Sequence, residues 1–364
     1  MTDSRQANTS NSAAAPLRVI LLLKSTTYRA GPFLKAAERL GLEVIKGLDI
    51  DPQLAEQWRV SLPLRFDQPE QAATTIVDFA RTIPVRAILA VDDSATVIAA
   101  LASEQLGLPH NSGEAALAAR NKYRMCQLLA AAGVPSPPFR LYDLADDPVQ
   151  VSREVNYPCV VKPLLLSGSR GVIRANNPAE FKAAFERLGR MLRQFVPAPG
   201  STNILVENFI PGFEVALEGL LDHGRLQVLA LFDKPDPLDG PFFEETIYVT
   251  PSRLPESTQA AIAACTAQAT AALGLGHGPI HAELRVNETG PWIIEVAGRS
   301  IGGLCSQTLR FGPDISLEEL ILQQAVGLKI DSVQRQAQAR GVMMIPIPAA
   351  GILKAVKGVE TAQA

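Results

Sequence analysis

The sequence lacks the cysteine and histidine patterns that build zinc sites and disulfide frameworks. Its 364 residues contain four cysteines, which lie far apart at Cys126, Cys159, Cys265 and Cys305, and no Cys-x-x-Cys pair occurs. This spacing argues against the common structural zinc motifs and predicts free thiols. We therefore expect a cytoplasmic protein.

The sequence also has no strong excess of one charge and no long apolar run. The formal net charge is −3, so no overall basic field favours a nucleic acid or a membrane surface as partner. No apolar run approaches the roughly 18 residues of a membrane helix. Residues 1–16 are polar without the apolar core of a signal peptide, and they are predicted to form a disordered tail. The remaining length allows about two or three domains.

Strands and helices alternate in the first third of the chain. The apolar run LRVILLL (17–23) predicts a strand buried on both faces, and the following segment predicts a helix that stops at Gly41. A second buried strand, AILAV (87–91), precedes a helix that the acidic pair in DDSATVIAAL is expected to cap. This order predicts a parallel α/β unit over about 17–112, with a ligand crevice at its strand ends.

A lysine at the end of a buried strand comes next. One long helix is predicted in EAALAARNKYRMCQLLAAAG, and later CVVKP places Lys162 just before SGSRG (167–171). Lysine is rarely buried without an anion, and the backbone N–H groups of a glycine-rich turn also bind anions. This pattern predicts a phosphate held from two sides, although no Walker A sequence occurs.

Two glutamates are predicted to face each other on a hairpin of PIHAELRV and PWIIEVA. If 288–290 form a three-residue loop with Gly290 left-handed, Glu283 lies opposite Glu295. Like charges in that position need compensation, and Mg²⁺ accepts one or two carboxylates together with substrate phosphates. The alternatives are that either glutamate faces solvent, or that a four-residue loop shifts the register.

Two basic residues accompany this hairpin. His281 shares a face with Glu283, which would place it beside the proposed metal, although a structural histidine is the alternative. Arg299 follows Glu295 among glycines and would bind a carboxylate or phosphate there, whereas the alternative is a surface arginine.

Three separated segments, VVKP with SGSRG, ENFIPGFE (207–214) and the hairpin, together resemble the ATP-grasp carboxylate–amine ligases. Within that family the chain is most similar to the L-amino acid ligase type, over about 17–330. The resemblance implies an α/β (α+β) ATP-grasp fold. Its predicted parts are a Rossmann-like N-terminal domain (17–112), a small lid subdomain (113–200), a catalytic subdomain with a larger antiparallel sheet (201–330), and a C-terminal segment (331–364) that is either naturally short or incomplete.

The resemblance also implies roles for individual residues. Two lysines would bind phosphates, the glycine loop would cover them, the hinge would face adenine and Glu214 would hold the ribose. The implied ATP-binding residues are Lys122, Lys162, Ser167, Gly168, Ser169, Gly171, Glu207, Asn208, Ile210, Glu214 and, by a looser match, Lys234. The resemblance assigns Mg²⁺ (or Mn²⁺) to Glu283 and Glu295, and stabilisation of the reacting oxyanion to Arg299 and His281.

One position departs from the family pattern. Ala297 stands where many members carry an asparagine ligand, E-x-N-x-R, which implies a weaker or water-completed second ion. The L-amino acid ligase branch accepts small residues there.

The activity implied by the resemblance is ATP-dependent joining of a carboxylate to an amine through an acyl phosphate. The alternatives are bicarbonate activation, as in biotin carboxylase-like proteins, and an ATP-binding module without catalysis. A dehydrogenase is set aside because the glycines of LGLGHG (273–278) follow a predicted helix and not a strand.

The partners implied are small carboxylate and amine substrates, and a homodimer is expected. Part of the substrate wall is placed in 235–254, with Glu244, Glu245 and Tyr248 as its polar candidates. The alternative is a surface loop held by Phe242 and Phe243.

Overall fold

The computed structural model of the protein describes residues 16–194, 202–347 and 351–363. Apart from Pro16, the predicted N-terminal tail lies outside these residues. Its strands are β1 (Arg18–Lys24), β2 (Glu43–Asp49), β3 (Leu62–Leu64), β4 (Ala87–Ala90), β5 (Phe139–Asp143), β6 (Cys159–Pro163), β7 (Ile173–Ala175), β8 (Asn203–Asn208), β9 (Phe213–Asp222), β10 (Arg225–Lys234), β11 (Ile247–Thr250), β12 (Gly278–Asn287), β13 (Gly290–Ala297) and β14 (Arg340–Met343).

Eleven α-helices connect or cover these strands within the described residues. They are α1 (Ala30–Arg39), α2 (Pro52–Trp58), α3 (Pro69–Thr82), α4 (Thr96–Leu106), α5 (Gly113–Arg120), α6 (Lys122–Ala131), α7 (Pro148–Val151), α8 (Pro178–Leu192), α9 (Glu256–Ala272), α10 (Leu317–Val326) and α11 (Val359–Gln363). None of these described helices has the length and apolar character needed to cross a membrane.

The first sheet is parallel, with the order β3-β2-β1-β4. Successive side chains of a strand point to opposite faces. In β1, Val19 and Leu21 therefore join one apolar core, whereas Ile20 and Leu22 join another. The predicted α/β unit and its doubly buried strand are confirmed.

The predicted long helix after residue 113 is wrong, because Asn121 divides it into α5 and α6. Asn121 has an extended backbone, and its side chain accepts hydrogen bonds from the backbone N–H groups of Tyr123 and Arg124. An N-cap residue has an extended backbone that cannot continue a helix, so α5 ends where Asn121 caps α6. This break places Lys122 in the first turn of α6.

The second sheet has the order β5-β8-β6-β7 and is antiparallel. Helix α8 covers one face with Phe181, Phe185 and Leu188. The segment NILVEN, which is β8, pairs with β5 and β6 and so belongs to this sheet and not to the next. A strand's partner depends on the distant chain that it meets, which the local pattern does not encode.

The third sheet is the largest, with the order β13-β12-β9-β10-β11-β14. Along β9, Val215 and Leu217 pack in the same core as α9, whereas Ala216 and Leu220 pack in the same core as the N-terminal unit. β14 shows that the segment after residue 331 adds a strand to this sheet. The predicted ATP-grasp architecture agrees with these sheets, and the predicted domain limits stay a prediction.

Glu283 pairs with Glu295, as predicted, but the turn that achieves this differs from the prediction. The loop contains only the two residues 288–289. Gly290, which has a φ of +112°, already belongs to β13 and pairs with Asn287 of β12. The register then shifts by one at a β-bulge, where Ile294 is the extra residue. The bulge restores the pairing that a three-residue loop would have given.

Gly212, between β8 and β9, has no room for a side chain. Its φ is +124°, and a Cβ would lie 2.2 Å from the backbone oxygen of Val286. We expect Gly212→Ala to destabilise the protein by about 1–3 kcal/mol more than Gly224→Ala, because overpacking adds to backbone strain. Gly224 also has a positive φ, +79°, but its Cβ would meet nothing within 4 Å. Urea denaturation measures the difference, and equal losses would contradict the packing argument.

Candidate active site

A cavity of about 640 Å³ lies between the second and third sheets and reaches the N-terminal unit. Most of the residues predicted from the sequence line it. Those that do are Lys122, Lys162, Ser167, Gly168, Ser169, Glu207, Asn208, Ile210, Glu214, His281, Glu283, Glu295 and Arg299. Gly171 and Lys234 do not line it.

Lys162 and Glu207 form a buried ion pair on the lid side of the cavity. The Nζ atom of Lys162 lies 2.6 Å from Oε2 of Glu207, and Cys126 donates from its Sγ to Oε1 at 3.4 Å. Burial lowers the pKa of Lys162, but the neighbouring carboxylate outweighs burial and raises it. Lys162 therefore remains charged in a dry setting, and an incoming anion would compete with Glu207 for it.

Lys122 connects the glycine loop to the large sheet. Its Nζ donates to the backbone oxygen of Leu166 at 2.9 Å and to Oε1 of Glu295 at 3.2 Å. Its backbone N–H donates to the oxygen of Leu164, which fixes the start of α6 against the strand β6. The lysine thus lies beside both the loop and the hairpin.

The glycine loop adopts the conformation that its composition allows. Gly168, Ser169 and Gly171 have positive φ values of 66°, 51° and 77°. Gly171 packs against α8, where a Cβ would come 2.4 Å from Cε of Met191. The close approach of α8 and the positive φ both favour glycine at position 171, and its phosphate contact stays a prediction.

Lys234 lies among three glutamates instead of facing open space. Its Nζ is 2.8 Å from Glu214, 2.7 Å from Glu245 and 3.2 Å from Glu283, measured to Oε1 in each case. The three carboxylates approach within 4.8 Å of one another. Their mutual repulsion is offset by one ammonium group, so a phosphate contact of Lys234 would require these partners to rearrange.

The charges of this cluster shift its titration. Burial, followed by the negative charge of Glu283, raises the pKa of Glu245 to about 7 despite the opposing effect of Lys234. Burial also favours the neutral form of Glu283, but Lys234 and His281 outweigh it and hold its pKa well below the usual range. The cluster therefore keeps Glu283 ionised.

His281 lies directly across the sheet from Glu218. Its Nδ1 is 2.6 Å from Oε1 of Glu218, and its Nε2 is 3.3 Å from Oε1 of Glu283. Burial lowers the pKa of His281, but Glu218 outweighs burial and raises it to about 9. The structure thus brings His281 beside Glu283, as predicted.

Arg299 meets the N-terminal unit. Its Nε donates to Oδ1 of Asp93 at 2.8 Å, and Arg29 donates to the backbone oxygen of Ser300 at 3.0 Å. The acidic pair after β4 was expected to cap a helix, but no side-chain cap forms there and Asp93 binds Arg299 instead.

Sequence reasoning missed Asp93 and Glu218. The position of Asp93 just after the carboxyl end of the buried strand β4 is the sequence feature that could have identified it as a site residue.

The carboxylates at the cavity fit a hard divalent cation. Oxygen ligands alone suit Mg²⁺, and Glu214, Glu245 and Glu283 place carboxylate oxygens close together. Glu295, although paired with Glu283 in the ladder, is not part of this group and binds Lys122. Ala297 lines the cavity and adds no ligand atom.

Comparison with known proteins supports the predicted family and fold. A family model described as an ATP-grasp domain matches residues 155–308, and one described as an ATP-grasp N-terminal domain matches residues 34–110. The chain belongs to the ATP-grasp family. The crystal structure of an L-amino acid ligase from Bacillus licheniformis is 26% identical, with a TM-score of 0.75 over 95% of this chain and 84% of that one. The predicted resemblance to this type of ATP-grasp protein is confirmed.

Two curated relatives of this ATP-grasp protein are longer. Dapdiamide A synthase of Enterobacter agglomerans is 28% identical over 63% of this chain and 54% of its own length. Carnosine synthase 1 of Gallus gallus is 28% identical over 85% of this chain and 36% of its own length. The chain therefore spans about half or less of these relatives.

The cluster around Lys234 leads to a stability prediction. Lys234→Met should destabilise the protein by about 3–5 kcal/mol at neutral pH, because it leaves buried carboxylates without their cation. The deficit should shrink as the pH falls, since those carboxyl groups would then have raised pKa values in the folded state and be relieved by protonation.

Urea denaturation at several pH values measures this effect. The matched control is Lys182→Met, which removes an exposed ion pair with Glu186 and should cost less than about 1 kcal/mol. A pH-independent loss in Lys234→Met would contradict the charge argument.

Proposed function

We propose that the protein is an ATP-dependent ligase that joins a small carboxylate, such as an amino acid, to an amine through an acyl phosphate. The single observation that carries this proposal is the convergence of Lys122, Lys162, Glu283 and Glu295 on one cavity between the two antiparallel sheets of an ATP-grasp protein. The relatives named above are ligases or synthases, which supports the same reaction class.

The nucleotide would lie along the cavity from the hinge to the hairpin. The adenine would face Glu207 and the backbone of 208–210, and the triphosphate would pass between Lys162 and Lys122. Glu214 would reach the ribose only if it shares its present contact with Lys234. Cationic side chains stabilise the charge that develops on a transferred phosphoryl group.

Glu283 and Glu295 would hold Mg²⁺ (or Mn²⁺), and Glu245 adds a further carboxylate that the sequence had placed only in the substrate wall. Such an ion, when bound, would neutralise phosphate charge and orient the γ-phosphate. The ammonium groups of Lys234 and Lys122 now compensate these carboxylates. The same side chains would therefore change partners when nucleotide and metal arrive.

The proposed reaction has two steps. A carboxylate oxygen of the substrate attacks the γ-phosphorus, the bond to the β,γ-bridging oxygen breaks, and ADP leaves with the electron pair. The amine nitrogen then attacks the acyl carbon, the bond from that carbon to the phosphate oxygen breaks, and inorganic phosphate leaves. The nitrogen loses its surplus protons, and an amide remains.

Arg299 and His281 would steady the oxyanion of the second step. Both line the cavity and are held by carboxylates at 2.8 Å and 2.6 Å respectively; His281 is buried and the Arg299 side chain is 12% exposed. Preorganised donors of this kind stabilise developing negative charge. The loop 167–171 would exclude water, which otherwise hydrolyses the acyl phosphate. The cytoplasmic location and the homodimer stay predictions.

A screen for ADP release tests the reaction class. The twenty proteinogenic L-amino acids, acetate, succinate and benzoate would be supplied in pairs with MgATP, and products detected by mass. We expect one ADP per amide, with a product mass equal to both substrates minus water. ADP release with bicarbonate alone would instead favour a biotin carboxylase-like reaction, and tight MgATP binding without turnover would favour a non-catalytic module.

An isotope experiment tests the intermediate. When the active carboxylate carries ¹⁸O, one labelled oxygen should appear in the released phosphate, because that oxygen bridges carbon and phosphorus in an acyl phosphate. Mass spectrometry of the phosphate measures the transfer. Unlabelled phosphate would contradict the mechanism.

Replacing one metal-binding carboxylate tests the site. Glu295→Gln should lower ADP formation by about 100-fold or more, because the metal ion that would orient and compensate the phosphates loses a carboxylate ligand. Its circular dichroism spectrum should match that of the parent. The control is Glu288→Gln, at the exposed hairpin turn, which should keep full activity. Full turnover in Glu295→Gln would contradict the metal assignment.

A further inference from the structure

Glu218 is a buried carboxylate at the cavity end of the large sheet, and neither the motifs nor the reaction steps above give it a role. It lies on β9, the strand between β12 and β10, and is 1% exposed. Its cross-strand neighbour on one side is His281, and on the other it is Ala230. It therefore occupies the same face of the sheet as the cluster around Lys234.

Both carboxylate oxygens of Glu218 have a defined partner. Oε1 lies 2.6 Å from Nδ1 of His281, and Oε2 accepts a hydrogen bond from the backbone N–H of Ile301 at 3.0 Å. Among the described residues, no lysine or arginine lies within 4 Å of this carboxylate. The imidazole is thus its ionic partner.

This contact decides which nitrogen of His281 faces the chemistry. With Nδ1 bound to Glu218, Nε2 is the nitrogen directed toward Glu283 and the cavity. A buried carboxylate at Nδ1 keeps that nitrogen protonated and fixes the ring plane, which sets the direction of Nε2. Without Glu218 the ring would be free to turn about its Cβ–Cγ bond.

The burial of the Glu218 carboxylate among apolar residues has a cost in folding free energy. Its surroundings include apolar residues such as Ala216, Leu220, Ile301 and Cys305, which belong to one core. An ionised carboxylate in such a setting costs free energy unless it is fully hydrogen-bonded. An apolar side chain would fill the space without that cost, but it would leave Nδ1 of His281 without a partner.

We propose that Glu218 is a positioning residue that fixes the imidazole of His281 with Nε2 turned to the reacting acyl group during amide formation. This inference rests on the proposed ligase function. Glu218 does not touch the substrates and acts through His281. Its second oxygen holds the backbone next to Arg299, so one carboxylate keeps the two oxyanion-stabilising side chains in a fixed relation.

Glu218→Gln separates these two contacts. The glutamine oxygen still accepts from the N–H of Ile301, but its NH₂ group faces Nδ1 of His281 and can donate to that nitrogen only if Nδ1 has lost its proton. We expect amide formation to fall by about 10- to 100-fold, the usual cost of losing a carboxylate that orients a functional histidine. The KM for ATP should change by less than about twofold, and the ratio of amide to ADP should fall as the acyl phosphate is lost to water.

A double-mutant cycle distinguishes positioning from general damage. If Glu218 acts through His281, Glu218→Gln should have little further effect in a His281→Ala background. Multiplicative losses in the double variant, or full activity of Glu218→Gln, would overturn the proposal. Glu318→Gln, which changes a buried carboxylate in α10, is the control and should keep the amide-to-ADP ratio.

A measurement without turnover keeps this proposal separate from the proposed function. In ¹⁵N-histidine-labelled protein, His281 should show a downfield, slowly exchanging Nδ1 proton that is absent in Glu218→Gln and is assigned by its loss in His281→Ala. Absence of that signal in the parent protein would overturn the positioning role even if the ligase is active. If the signal is present but no amide forms in the screen, the proposed ligase function fails, and with it the role in amide formation, while the contact itself stands.

Discussion

Compensation of buried and partly buried carboxylates by lysines is the interaction on which the rest of this site depends. Lys162 pairs with Glu207 and Lys122 with Glu295, while Lys234 serves three glutamates. An uncompensated carboxylate in these positions would cost several kcal/mol. A triphosphate with its metal can replace both members of these ion pairs. Its oxygens can take the place of the glutamates beside the lysines, and its cation can take the place of the lysines beside the glutamates. The same pairing thus keeps the protein folded and keeps the cavity ready for that ligand.

The strand arrangement explains how so much charge gathers on one surface without weakening the core. On the central strands β9, β10 and β12, Glu214, Lys234 and Glu283 lie on one face of the sheet, whereas Val215, Leu231 and Leu284 on the other face pack in the core shared with α9. One face of the sheet therefore supplies apolar burial, and the other combines the charged cluster with apolar residues such as Ala216 and Leu220 that pack with the N-terminal unit. Glu218 lies where these functions meet, with apolar neighbours and a charged histidine as its ionic partner.

The sequence predicted the parts of the site that depend on local spacing. The opposition of Glu283 and Glu295 was predicted from a three-residue loop, but the loop has two residues and the bulge at Ile294 restores the pairing. The bulge was not foreseeable, since it depends on how the whole sheet twists. Glu218 and Asp93 were missed because their partners lie 63 and 206 residues away in the chain, at distances that no local pattern encodes. The break at Asn121 was missed because an asparagine inside an apolar periodic segment fits either a helix interior or a cap.

A crystal structure with Mg²⁺ and a non-hydrolysable ATP analogue tests the central claim most directly. The account predicts that the phosphates contact Lys122 and Lys162, that the ion is bound by Glu283 and Glu295, and that both lysines release part of their present contacts with glutamate. Nucleotide bound outside the cavity, or phosphates bound while both lysines keep their glutamate partners unchanged, would contradict it.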